Sequence, residues 1–284
     1  MTADHKVAVV TGASRGAGRG IAVALGAAGW RVYITGRSDA DSGRRTTIEA
    51  TARAVTDAGG HGVAVRVDHA DDSDVARLFA RVAEESGRLD LLVNNAAAVH
   101  RDLTDPAPFW EKPIELGDVL DVGLRSGYVA SWHAAPLLTE SERGLIVFTS
   151  SPGSVCYMHG PAYGAQKAGI DKMVADMAVD FRGTGVSVVS IWMGILLTEK
   201  LRRAFDENPE ALAKTAENAE TPEFTGYLVN ALYHDPELAE LSGQTLIGAE
   251  LAVTYGITDE GGRRPPSHRE FFGSPRVPHP AVVR

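Results

Sequence analysis

Three features of the chain predict an α/β fold with a doubly wound parallel sheet. Short β-branched apolar runs alternate with helix-period segments, the first run breaks into a glycine-rich turn, and the connections have the length of right-handed β-α-β crossovers. The expectation is a single domain of about seven strands in the order 3-2-1-4-5-6-7, with helices on both faces. A chain of 284 residues with 44% hydrophobic content is large enough to bury such a core. Its net charge of -9 argues against a sequence-independent grip on nucleic acid or an anionic membrane. The single cysteine, Cys156, excludes an internal disulfide framework and fits a reducing compartment. No run approaches the roughly 20 apolar residues of a membrane span, and no basic segment leads into a signal-like apolar stretch. A cytoplasmic protein with no membrane span and no nucleic-acid partner is the expectation.

The first unit is KVAVVTGASRGAGRGIAVALGAAGW. Residues 7–10 suit a central strand buried on both faces, and Ile21 and Leu25 with the intervening alanines suit a helix that packs closely on a sheet. Gly12, Gly16 and Gly18 lie between the two. There the backbone can approach a pyrophosphate, whose charge is favoured by the free N–H groups of a helix N-terminus. The turn lacks the Gly-Lys-Ser/Thr ending of nucleoside triphosphatases, so the reading is a dinucleotide.

The second strand, 31–35, ends in Gly36-Arg37. A carboxylate near this point takes the adenosine ribose hydroxyls in NAD-preferring Rossmann folds, and Arg37 stands here instead. With Arg15 from the glycine loop it can clamp a 2′-phosphate through charge-assisted hydrogen bonds, so NADP(H) is preferred and NAD(H) remains possible. A helix over 48–58, a strand over 63–67, a helix over 71–86 and a strand over 89–93 continue the alternation. Asp68, after the third strand, either accepts from the adenine amino group or opens the next helix. Asn94 and Asn95, after the fourth, can stitch strand ends together and border the cofactor.

The fifth strand leads into TSSPGSVCYMHGPAYGAQKAG. Tyr163 and Lys167 are four apart and share a helix face, and Ser150 or Ser151 arrives from the strand end. The helix continues to Phe181, with Ile170, Met173, Val174 and Met177 as a stripe for helix packing or a dimer face. Residues 186–191 and 245–247 read as the last strands, and the charged, alanine-rich segment of about 197–226 as a substrate lid, with a solvated helix as the competing reading. Phe109, Trp110, Tyr157, Trp192 and Phe224 are candidates for an apolar pocket wall or for core. The domain is expected to run over 1–260. The tail over 261–284 lacks periodicity and reads as disordered or as wrapping a neighbouring subunit. The scattered histidines give no metal-site spacing.

TGASRGAG, Asp68, LLVNNAA, the serine strand end and the Tyr163/Lys167 pair, in this order and spacing, resemble the short-chain dehydrogenase/reductase family. The likeness runs from about Lys6 to about Tyr255. FWEKP, VGLRSGY, SSPGSVCYM, LSGQTL and AVTYGITDEGG resemble more closely its dehydrogenase/reductase member 1 branch. The resemblance implies hydride transfer between NADP(H) and a carbonyl or secondary alcohol of an apolar small molecule, by a homodimer or homotetramer. Tyr163 is then the general acid/base, Lys167 favours its phenolate and holds the nicotinamide ribose, and Ser151 holds the substrate oxygen. Bringing a phenol from near 10 to near neutrality corresponds to about 4 kcal/mol of differential stabilisation. Cofactor contacts are implied for Gly12, Ser14, Arg15, Gly16, Gly18, Arg37, Asp68, Asn95, Lys167, Leu196 and Thr198.

Four departures stand out. The family's serine lies thirteen residues before the tyrosine, which selects Ser150, whereas counting along the strand selects Ser151; a one-residue slip exchanges faces, so Ser151 is preferred. The family's helix-borne asparagine falls at Gly123, and Ala97 replaces the glycine of its NNAG motif. Met193 replaces a proline, which implies a less rigid loop after the sixth strand. A nucleotide-binding sensor or scaffold that has lost turnover, and a lyase or epimerase on the same scaffold, are the alternative functions.

Overall fold

The computed structural model describes residues 5–43, 46–207, 210, 215 and 217–284. Strand β1 (Val7–Val10), helix α1 (Gly16–Ala27), β2 (Arg31–Gly36), α2 (Ile48–Asp57), β3 (His61–Arg66), α3 (Asp72–Ser86) and β4 (Leu91–Asn94) form the first half. The second half contains α4 (Ser126–Thr139), β5 (Gly144–Ser150), α5 (Pro161–Asp180), β6 (Val186–Trp192), α6 (Glu199–Glu207), α7 (Phe224–His234), β7 (Thr245–Ile247) and α8 (Gly248–Tyr255). The strands make one seven-stranded parallel sheet in the order β3-β2-β1-β4-β5-β6-β7. This is the architecture and order read from the sequence.

The apolar runs carry no polar alternation because both faces of the sheet are covered. Ala8, Val10, Leu91, Val93, Val147 and Ile191 point into one core with Ile21 and Leu25 of α1 and Leu228 of α7. Val7, Val9, Leu92, Ile146, Phe148 and Val188 point into the other with Leu78 of α3, Ala134 of α4 and Val174 of α5. Met173 and Met177 pack at the edge of this second core, in keeping with a packing stripe. Element ends differ from the sequence reading by one or two residues. At β5 the difference matters, because the ladder stops at Ser150 and leaves Ser151 outside it, ahead of Pro152, which has no N–H to donate.

Helix α5 is tied to β6 by a polar clamp. Asp171 accepts from the Ser190 hydroxyl and from the Trp192 indole N–H, each at 2.9 Å. Trp192 and Phe224 are fully buried and belong to the core, and Phe109, Trp110 and Tyr157 are exposed. The sequence allowed either role, and size and hydrophobicity alone do not distinguish them. Of the expected lid, residues 208–209, 211–214 and 216 lie outside the described residues. Beyond residue 260 the chain packs back on the domain. Arg269 and Ser267 bond Glu250, the His268 ring lies 6.2 Å from the Trp192 ring, and Gly273 approaches Val155. These contacts tie residues 263–273 to the domain, while Phe271, Val277 and Val283 stay exposed.

Candidate active site

The C-terminal ends of β1, β4, β5 and β6 open on one cavity of about 690 Å³. At the β5 end, the Ser151 hydroxyl lies 2.9 Å from the Tyr163 hydroxyl and accepts from the Gly153 N–H at 3.2 Å. Ser150 points the other way; its hydroxyl is buried without a hydrogen-bond partner. Gly153 lets the ring come close, because a Cβ there would stand 2.7 Å from Tyr163 Cε1. Lys167 reaches back under the ring, with Nζ 5.4 Å from its centroid and donating to the Thr149 carbonyl at 3.2 Å. His159, at φ 59 in the left-handed region, meets the Tyr163 ring edge-on with centroids 5.1 Å apart.

The electrostatics of this corner differ from the simple expectation of a lowered phenol. Burial pushes the Tyr163 hydroxyl up, opposed by the hydrogen bond from Ser151. Burial also pushes the Lys167 ammonium down to about 8, opposed by the charge of Asp171. Both groups share the same dry wall, and desolvation works against each charged form.

The glycine turn is built for close approach. Gly12 has φ 64, and a Cβ on it would stand 2.7 Å from Ala96 Cα; one on Gly18 would stand 2.4 Å from Asn95 Nδ2. Asn95 braces the turn by donating to the Thr11 and Gly12 carbonyls at 2.8 and 3.2 Å. Asn94 donates to Ser131 on α4 at 3.0 Å. Thr11, which sequence reasoning passed over, accepts from the Asn95 and Ala96 N–H groups at 2.9 and 3.0 Å. The first turn of α1 holds no acidic side chain. Its free N–H groups therefore suit an anion.

Ser14, Arg15, Gly16, Arg37 and Asp68 line the same end of the cavity. The Arg37 side chain is 71% exposed and sits 3.9 Å from the Asp68 carboxylate, which also accepts from the Ala70 N–H at 3.0 Å. Asp68 thus braces the turn before α3 and at the same time lines the cavity, so both of its sequence readings stand. His69, also unforeseen, is buried against the Thr35 hydroxyl at 2.7 Å, and burial pushes its pKa down to about 4. Leu196 does not line this cavity. Thr198 lines a groove beside it with Gly16, Arg19 and Arg202.

Two departures now have a physical account. Met193, standing for proline, donates its N–H to the Ser150 carbonyl at 3.3 Å, a tether proline cannot make. The expected loss of rigidity is therefore offset at that residue. Gly123 sits in a kink at φ 144, and a Cβ there would lie 2.0 Å from Gln166 Nε2. The Gln166 amide occupies the space that an asparagine at 123 would need. Gln166 is buried, lines the cavity and leaves its Oε1 without a partner.

A doubly wound sheet whose glycine turn shares one cavity with Tyr163 and Lys167, Ser151 bonded to the tyrosine, defines a class, the dinucleotide-dependent oxidoreductases. The chain belongs to the short-chain dehydrogenase/reductase family, whose members use NAD(P)(H): the family model for short chain dehydrogenase matches residues 6–209. Dehydrogenase/reductase SDR family member 1 of Mus musculus is 43% identical over 269 residues, covering 91% of this chain and 84% of the relative. The Homo sapiens protein of that name is 42% identical over 271 residues, covering 92% and 85%. A solved structure from Xanthomonas campestris, assigned as a dehydrogenase, superposes with a TM-score of 0.76 at 26% identity, covering 91% of this chain and 92% of its own. Among the described residues, no helix is long and apolar enough to cross a membrane.

Proposed function

We propose that this chain transfers a hydride between NADP(H) and a carbonyl or secondary alcohol of an apolar small molecule. The observation that carries the reading is the 2.9 Å contact of Ser151 with Tyr163, which with Lys167 lines the cavity that holds the glycine turn. The bound nicotinamide supplies the hydride or accepts it. Gly12, Gly16 and Gly18 hold its pyrophosphate, and Arg15 and Arg37 take the 2′-phosphate. Ser151 orients the substrate oxygen toward Tyr163. Tyr163 donates the proton to that oxygen in reduction and removes it in oxidation. Lys167 keeps a positive charge near the phenol below about pH 8. The desolvated phenol gains from any further cation that enters the cavity, which is the charge of the oxidised cofactor. Ala97, Ala98, Val99, Leu103 and Val119 give the substrate end of the cavity its apolar wall.

The test is NADPH oxidation by the purified protein against a panel of apolar ketones and aldehydes. Turnover is expected, with Tyr163→Phe lowering kcat by about 10²–10⁴ while NADPH still binds. NADPH binding without turnover on any substrate overturns the reading. For the cofactor, Arg37→Ala is expected to weaken NADPH far more than NADH; equal weakening overturns the phosphate clamp.

A further inference from the structure

The loop after β6 is held by a clasp that lies wholly outside the stretch matched by the family model, which ends at residue 209. Glu220 forms a parallel bridge with Leu196, its N–H donating to the Ile195 carbonyl and its carbonyl accepting from the Leu197 N–H, each at 2.8 Å. Its side chain turns back to the same loop, where Oε1 accepts from the Gly194 N–H at 3.1 Å. Gly194 leaves just enough room, since a Cβ would stand 2.8 Å from Glu220 Oε2. Glu220 therefore meets the loop through backbone and side chain together, at 1% exposure.

The clasp is itself anchored from the C-terminal segment. Asp259, whose side chain is fully buried, accepts from the Thr221 N–H at 2.8 Å and from the Thr221 hydroxyl at 2.5 Å. Arg263 pairs with Asp259 at 2.9 Å and donates to the Ala219 carbonyl at 3.1 Å. On the other side, Pro222 is pressed against α1, where a Cβ on Gly20 would stand 2.2 Å from its carbonyl carbon. The loop carrying Thr198 is thus fixed against helix α1 by residues 219–222, and these by residues 259–263.

We infer that Glu220 is a positioning residue for the nicotinamide end of the cofactor, holding the 194–198 loop in its binding shape, with Asp259 and Arg263 as its support. The inference rests on the reading that this loop, through Thr198, meets the cofactor. Burial and the charge of Asp259 push the Glu220 carboxyl up to about 8, so near neutral pH the clasp adds little negative charge beside the dinucleotide. A carboxylate ionised at this point would oppose an anionic ligand.

The experiment compares two ligands by calorimetric titration: NADPH, and adenosine 2′,5′-bisphosphate, which lacks the nicotinamide half. Glu220→Ala is expected to raise the NADPH Kd by about three- to tenfold, the worth of a lost hydrogen bond and a loosened loop, and to leave the bisphosphate within about twofold. Glu220→Gln, whose amide oxygen still accepts from the Gly194 N–H, is expected to restore NADPH affinity. Arg263→Ala gives the same selective loss from a site remote from the cavity, and stands in should Glu220→Ala fail to fold. Equal weakening of both ligands, or no weakening of NADPH by either variant, overturns the inference. Thr198→Val separates it from its premise: if this variant weakens NADPH selectively and the clasp variants do not, the clasp role alone fails. If Thr198→Val leaves NADPH untouched, the premise fails.

Discussion

Gly123→Asn puts the family's asparagine where this chain has glycine, and the structure says what that costs. At φ 144 and ψ -41 the backbone lies where side-chain-bearing residues rarely go, and the new Cβ falls 2.0 Å from Gln166 Nε2 and 3.1 Å from its Cδ. Ordinary contact is about 3.4–4 Å, so either the amide moves by more than an ångström or the kink relaxes. Backbone strain contributes about 1–3 kcal/mol. Displacing a packed, buried side chain contributes about 1–3 kcal/mol more. A total loss of roughly 2–6 kcal/mol follows, a large part of the stability of a typical domain. Gln166→Ala removes the obstructing amide but not the strain. In a double-mutant cycle read by urea unfolding, the pair is expected to be less destabilised than the sum of the singles by about 1–3 kcal/mol. Additivity within about 0.5 kcal/mol refutes the claim that Gln166 fills the vacated space.

Other expectations follow from the same contacts. Glu220 holds its proton up to about 8 in the folded protein and loses it near 4.5 when unfolded. Between those values the unfolded chain binds fewer protons, so this residue lowers stability as pH rises, by up to about 1.4 kcal/mol per pH unit, with no further change above 8. Unfolding curves from pH 5 to 9 should show that slope in the parent and its loss in Glu220→Gln. Asp171→Ala leaves the buried Trp192 indole N–H unpaired, costing about 1–3 kcal/mol, and removes the charge that opposes the downward push on Lys167. The basic limb of the kcat/KM profile should then move to lower pH. Gly20→Ala drives a Cβ to 2.2 Å of the Pro222 backbone, which has no flexible end to yield. A loss of about 1–3 kcal/mol in urea, with weaker NADPH binding, is the expected outcome.

The sheet was legible because its information is periodic and redundant. Val7–Val10, Leu91–Asn94 and Gly144–Ser150 are buried along their whole length, and unbroken apolar runs say so without reference to any partner. The Tyr163/Lys167 pair was legible because a helix fixes which residues share a face. Serine choice lay at the limit. Residue counting to the tyrosine selects Ser150, strand phase selects Ser151, and the geometry places Ser151 beside the tyrosine because the chain turns at Pro152 two residues after the ladder ends. Phe224 and Trp192 were beyond reach, since a large apolar side chain reads the same whether it faces a cavity or a core.

The residues that sequence reading missed share one property: their roles come from partners far away along the chain. Thr11 serves Asn95 across 84 positions, and Thr221 serves Asp259 across 38. Gln166 is the instructive case. One position before Lys167, it reads as a filler between two functional residues, and only the approach of Gly123 gives it a place. A glycine where a family has a working side chain suggests a function lost. Here the space is taken from the opposite wall, so the vacancy and its filling are one feature, and each half is uninterpretable without the other. The orphaned Gln166 oxygen beside the cavity keeps a hydrogen-bonding carboxamide available at that wall, although its source is a different helix. Missing motif residues are therefore better judged by the space they leave than by their absence.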